Sequence, residues 1–182
     1  LAVDLSPQML EIVARKAQAE PVVVDRLMAN LVQLDCLRDR IADYALCMFS
    51  TLGMIRGRDN RRRLLAHAAR ILKPDGCLAL HVHNRWSNLW MPQGRGWVIR
   101  NAIESWLSSE IEAGDKFFDY QDVPKMFLHL YTRGELLADL ASAGLWADEI
   151  IPLEHRRRHA LKQAWLFGRL RANGWIAICR KK

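Results

Sequence analysis

Asp4 stands between an apolar stretch and a helix-start signal. Leu1-Ala2-Val3 reads as the end of a buried strand, Ser6 as an N-cap and Pro7 as a first helical residue, and Met9, Leu10, Val13 and Ala17 recur at helical spacing. In an open α/β sheet, ligands sit outside the carboxyl ends of the strands, and a carboxylate there is suited to ribose hydroxyls. The chemistry indicated is recognition of a nucleotide-type cofactor. A plainer role for Asp4 is to favour the positive end of the helix that follows.

The other reactive residue types fall at comparable places. Asp35 and Cys36 follow Ala29-Asn30-Leu31-Val32-Gln33-Leu34, a third-strand candidate, and Cys47, Met48 and Phe49 close the apolar run of residues 42–49, with Ser50 next. His81 and His83 share one face of a strand pattern, and His83 lies at its carboxyl end. A metal would need a third or fourth ligand and supporting hydrogen bonds, and nothing is spaced to supply them, so no metal is expected. His83 is suited to act as a general base or to orient an acceptor, because imidazole is neutral near pH 7. His81, deeper in the strand, reads as a hydrogen-bonded core residue. No Ser-His-Asp, Cys-His or paired-carboxylate pattern is present.

Val3-Asp4-Leu5-Ser6-Pro7-Gln8-Met9-Leu10, Asp35, the run from Ala42 to Ser50 and Leu72-Lys73-Pro74-Asp75-Gly76 occur in one order. Together they resemble the class I S-adenosylmethionine-dependent methyltransferases. The resemblance implies an α/β, Rossmann-like doubly wound sheet, mostly parallel with an antiparallel last strand, in the order 3-2-1-4-5-7-6. It implies S-adenosylmethionine as cofactor, with Asp4 on the ribose hydroxyls, Leu5 against the adenine, and Asp35 and the Cys36 backbone near the adenine amino group. Cys47, Met48 and Phe49 would line the methionine part. His83 and His129 are the catalytic candidates, and transfer to a small-molecule acceptor is the expected activity. Leu128-His129-Leu130-Tyr131-Thr132-Arg133-Gly134-Glu135-Leu136 is also similar to a stretch of methyltransferases acting on wobble uridine in tRNA. A nonenzymatic, degenerate Rossmann-like binding protein is a further alternative.

The family's first strand and glycine-rich loop have no counterpart here. Gly94-Arg95-Gly96, the one Gly-x-Gly, follows Trp- and Pro-containing sequence rather than a strand. The expectation is a single domain over residues 1–182 that lacks its first central strand. The remaining elements follow from periodicity. A strand runs over 42–49, buried on both faces; a helix over 59–72 carries its arginines largely off the apolar stripe; Lys73-Pro74-Asp75-Gly76 forms a turn; and Cys77 to Val82 form a strand. Residues 84–127, with Trp86, Trp90, Trp97 and Trp106 and a helix near 98–111, read as an inserted lid over the acceptor. Thr132 and Glu135 form a capping box for a helix ending near Gly144, and two strands close the chain at 149–153 and 175–179.

Composition fits that reading. The 182 residues are 51% hydrophobic with a net charge of +7, enough for a sizeable core. From His155 onward there are nine Lys and Arg and no acid, so RNA binding by residues 155–182 is a further possibility beside simple solvation. Apolar runs are too short to span a bilayer. Four scattered cysteines without a Cys-x-x-Cys pair suit a reducing cytoplasm.

Overall fold

A computed structural model describes residues 1–20, 22–120 and 123–181, together with the backbone but not the side chains of Tyr120 and Val123 among them. The chain forms two compact units, Leu1–Arg38 and Asp39–Lys182.

In the first unit, β1 (Ala2–Asp4) leads into α1 (Pro7–Ala19) and returns to β2 (Arg26–Met28), which pairs with β1 in parallel. The helix starts where its sequence dictates. The Ser6 hydroxyl accepts the Met9 N–H at 3.3 Å, Pro7 occupies the first turn, and Leu10 is buried. The expected third strand at 29–34 is displaced: the strand is Arg26–Met28, and the chain turns at 31–32 instead. The cause is Asn30, whose side chain accepts the Val32 N–H at 3.1 Å while its carbonyl accepts Gln33 N–H at 2.9 Å. That local bonding competes with a ladder.

In the second unit, β3 (Ala42–Cys47), β4 (Leu72–His83), β7 (Leu145–Leu153) and β8 (Gly174–Lys181) form a sheet in the order β3-β4-β8-β7. β3 is parallel to β4, and β8 is antiparallel to both its neighbours, as expected of the last strand. The two sheets, β1-β2 and β3-β4-β8-β7, correspond to the stretches 2-3 and 4-5-7-6 of the expected order. Between β3 and β4 lies α2 (Arg58–Ile71), whose Leu64 and Leu65 are buried. Leu52, Leu72, Leu80, Val82, Leu136, Leu140 and Ala177 are fully buried with them. Each large aliphatic so buried contributes about 1.5–3 kcal/mol.

Three expectations need correction here. β3 is not covered on both faces: Tyr44 is 79% and Leu46 77% exposed, and, two residues apart, they share the face on which no element packs among the described residues. Lys73-Pro74-Asp75-Gly76 does turn, but as a bulge inside β4; the register jumps from Ala42 opposite Leu72 to Tyr44 opposite Cys77, and Asp75 takes φ +62°. Arg61 does not lie on the solvent side of its helix but is completely buried.

Residues 84–127 contain more structure than the reading anticipated. A 3₁₀ turn (Arg85–Trp90) and α3 (Pro92–Leu107) are followed by β5 (Asp115–Tyr120), which pairs antiparallel with β6 (Val123–His129). The register places Asp115 opposite His129. α4 (Arg133–Ser142) and a short α5 (Gly168–Arg171) complete the elements.

Candidate active site

In the first unit, Asp4 is the last residue of β1, and its Oδ1 accepts the Ser6 N–H at 2.8 Å. That bond aims the carboxylate past the end of the strand. Its other oxygen has no protein partner among the described residues, so it can accept two further hydrogen bonds. Leu5 beside it is 63% exposed, and Met28, opposite Asp4 across the ladder, 64%. An ionised carboxylate oxygen without a partner accepts hydrogen bonds from hydroxyl groups, and the exposed apolar side chains beside it can cover a flat ring. Asp35 and Cys36 lie in a turn, both exposed, rather than directly at a strand end.

In the second unit, β3 delivers Cys47, Met48 and Phe49 to its carboxyl end. Phe49 and Ser50 are consecutive residues in the left-handed region, at φ +57° and +63°. Such backbone costs roughly 1–3 kcal/mol per residue and marks places where geometry is held for a purpose. The Ser50 hydroxyl, fully buried, accepts the His83 N–H at 3.3 Å and so ties the tip of β3 to that of β4. Phe49 is 86% exposed beyond that anchor. Burial pushes the Cys47 thiol up to about 11, so it stays protonated and a poor nucleophile near neutral pH.

His83 stays neutral. Burial, the adjacent His81 ring and Arg157 lower its pKa to about 4, and Arg157 Nη1 lies 3.1 Å from its Nε2. A base so weak, with its lone pair facing a guanidinium, is suited to orienting rather than to taking a proton. His81 is buried and likewise lowered to about 4, chiefly by burial.

His129 is the centre of the strongest polar cluster among the described residues. Its ring is completely buried, with Nδ1 2.8 Å from Asp115 Oδ1 and Nε2 2.8 Å from Glu135 Oε1. Burial alone would lower the imidazole, but hydrogen bonds to the two carboxylates outweigh it and raise the pKa. Burial would raise Asp115 and Glu135, yet the bond to His129 holds both low. Two ionised acceptors require both ring nitrogens to donate, so His129 is an imidazolium. Neither nitrogen is open to a substrate. The proposed catalytic residue therefore acts as a structural hub, pinning the β5–β6 hairpin to the start of α4. The capping box makes the join exact in direction, with the Thr132 hydroxyl accepting Glu135 N–H at 3.2 Å.

The neighbours neutralise the remaining charge. Buried Arg61 pairs with Glu112 and lies 5.7 Å from the centre of the Tyr131 ring. Arg58 and Arg62 each reach Asp139 Oδ1 at 2.9 Å. Asn101 in α3 holds the turn before β5, accepting Gly114 N–H at 2.7 Å and donating to Asp115 O at 3.1 Å. Gly114 itself sits at φ +122°, and a Cβ there would stand 2.4 Å from Leu130 O. No other residue fits. Glu112, His129 and Glu135 approach closely enough to consider a cation, but Arg61 and protonated His129 already supply the positive charge.

Asp115, Glu112 and Arg61 were not singled out by the sequence reading. They are brought to His129 by pairing across a hairpin and by a helix fifty residues away, and no spacing rule links them. The one local signal was Glu135, visible as half of a capping box.

Beside the cluster lies an open cleft of about 510 Å³, walled by Arg58, Arg85, Ser108, Ser109, Thr132 and Glu135. No helix is long and apolar enough to cross a membrane among the described residues.

Residues 1–76 match the family profile described as a methyltransferase domain. A search of curated protein sequences finds no significant match. Among solved structures, a SAM-dependent methyltransferase from Methanosarcina mazei is similar at a TM-score of 0.75 and 17% identity, over 98% of this chain and 80% of that one. A methyltransferase from Streptomyces caelestis follows at 0.65 and 17%, over 98% and 73%. The 1,6-didemethyltoxoflavin-N1-methyltransferase of Burkholderia thailandensis, solved with 1,6-didemethyltoxoflavin and S-adenosylhomocysteine, gives 0.59 and 16%, over 100% and 60%. At these identities the likeness is one of fold.

Proposed function

We propose that the chain is a class I S-adenosylmethionine-dependent methyltransferase that methylates a small-molecule acceptor, a reading supported by its fold and by the methyltransferase-domain profile matched over residues 1–76. The observation that carries the reading is Asp4, a carboxylate fixed at a strand tip by the Ser6 N–H, with one oxygen left free ahead of a capped helix. S-adenosylmethionine, when bound, supplies a methyl group on a sulfonium. Asp4 would hold the ribose hydroxyls, and exposed Leu5 would cover the adenine, with Asp35 and Cys36 near its amino group. Cys47, Met48 and Phe49, at the end of β3, would wall the methionine part. The strained Phe49–Ser50 backbone keeps that wall in place through the Ser50 bond to β4.

Transfer from a sulfonium asks the protein mainly for alignment and exclusion of water, which accounts for the absence of an open base at His129. His83 would orient the acceptor. The Trp-rich residues of 84–127 would cover it, with Trp106 84% exposed on α3. The small-molecule reading is supported by neighbours such as the Burkholderia enzyme; none of those neighbours favours tRNA. Calorimetry with S-adenosylhomocysteine tests the premise. Binding by the wild type that falls at least about tenfold in Asp4→Ala is expected, since charge-assisted bonds of about 1.5–3 kcal/mol are lost. Equal binding by both removes Asp4 from the site.

A further inference from the structure

The cleft beside His129 holds one guanidinium that forms no ion pair among the described residues. Its carboxylates are all taken: Glu112 by Arg61 and by the Arg58 N–H at 2.7 Å, Glu135 by His129. Arg58 is taken too, by Asp139. Arg85 is different. Its Nε is buried without a hydrogen-bond partner among the described residues, and its guanidinium forms no ion pair there. The group feels the charge of Glu135 in the same cleft, and its ring contact is with Trp86, whose centre lies 4.9 Å away.

Arg85 is nonetheless firmly placed. Its N–H donates to Tyr131 O at 2.9 Å, and its carbonyl accepts from Asn88 Nδ2 at 3.0 Å. It follows the carboxyl end of β4 by two residues, at the tip that Ser50 ties to β3. A merely solvated arginine keeps its Nε in water, whereas this one is stripped of water on that side. A buried N–H without a partner costs roughly 1–3 kcal/mol unless something completes it. Around it, the hydroxyls of Ser108 and Thr132 accept the N–H groups of Glu110 and Glu135, each at 3.2 Å, so their own protons are free to donate. The guanidinium and the two hydroxyls line the same open cleft as Glu112 and Glu135, whose carboxylates already accept from Arg58, Arg61 and His129.

We propose that the methyl acceptor carries an oxyanion, a carboxylate or a phosphate, and that Arg85 binds it in this cleft. The inference rests on the methyltransferase reading for the word acceptor, but the oxyanion site stands on its own geometry. An arginine fork takes either group in paired hydrogen bonds, while Trp86 holds the plane of the guanidinium.

The test uses acetate and inorganic phosphate as probes, at constant ionic strength set with chloride, and acetamide as the uncharged control. Two signals report on the residue: the Arg85 Nε–H resonance, assigned by its absence in Arg85→Gln, and the part of the tryptophan fluorescence lost in Trp86→Phe. A saturable shift with acetate or phosphate and none with acetamide is expected, and the tighter probe identifies the oxyanion. Arg85→Gln should weaken that binding at least about tenfold, and Arg85→Lys less, because a point charge replaces the fork. No saturable shift in the wild type, or undiminished binding in a folded Arg85→Gln, overturns the proposal. The resonance is assigned by its absence in Arg85→Lys as well as in Arg85→Gln, so failure of one variant to fold does not shelter the proposal. S-adenosylhomocysteine binding is measured in parallel. Cofactor binding without oxyanion binding refutes this inference alone; oxyanion binding without cofactor binding refutes the methyltransferase reading and leaves the site.

Discussion

Replacing His129 with leucine removes two N–H donors and the positive charge between Asp115 and Glu135, while keeping most of the volume. Both carboxylates are then buried against an apolar side chain, Asp115 at 4% and Glu135 at 17% side-chain exposure. Breaking a buried pair by deleting one partner costs about 3–5 kcal/mol. For a chain of this size that corresponds to a fall in melting temperature of roughly 6–20 °C. The pH dependence is more specific than the size. The raised His129 stabilises the fold fully below its ordinary value of 6.5 and loses that contribution as pH climbs through the raised folded value. The lowered Asp115 and Glu135 contribute above their ordinary 3.8 and 4.5 and lose it as pH falls through their folded values. The wild-type advantage over His129→Leu should therefore peak between about pH 4.5 and 6.5 and shrink by up to about 1.4 kcal/mol per unit above that. His81 and His83, both lowered to about 4, work the opposite way: their contribution is present above pH 6.5 and fades below it. The informative quantity is thus the difference between the two proteins, from urea unfolding followed by circular dichroism at pH 5 to 8. A difference that does not change over that range would refute the charged His129.

Thr132→Ala should cost about 1 kcal/mol through the lost helix cap and should also loosen Glu135, visible as a smaller pH-dependent difference in the same unfolding experiment. Leu65→Ala, at a fully buried position of α2, should destabilise by about 2–5 kcal/mol without altering S-adenosylhomocysteine affinity. Iodoacetamide at neutral pH should modify exposed Cys36 first and leave Cys179, buried and pushed up to about 12, until the chain unfolds; mass mapping of the alkylated peptides reads the order.

The elements that the sequence revealed are those whose signals are local. Ser6-Pro7 and Thr132 with Glu135 marked two helix starts to the residue, because a cap is a bond between neighbours. The apolar runs located β3, β4, β7 and β8, and the antiparallel last strand followed from family likeness. What stayed hidden depends on distant partners. Arg61 looks like a surface arginine until Glu112 and Tyr131 are placed beside it, and the β5–β6 hairpin has neither a tight turn signal nor a clean alternation. The third strand was misplaced because Asn30 converts an apolar run into a turn. His129 was noticed as a reactive type, but only the hairpin register reveals that both of its nitrogens are spoken for.

The bare flank of β3 also bears on how this protein behaves in a test tube. Tyr44 and Leu46 decorate a strand whose outer N–H and C=O groups are unpaired among the described residues, and nearby Asp43, held by Lys73 at 2.9 Å, is a meagre gatekeeper. Such a flank templates a second copy of itself, so turbidity that grows with concentration, and grows faster as salt screens the +7 net charge, is the colloidal signature this strand imposes on the chain.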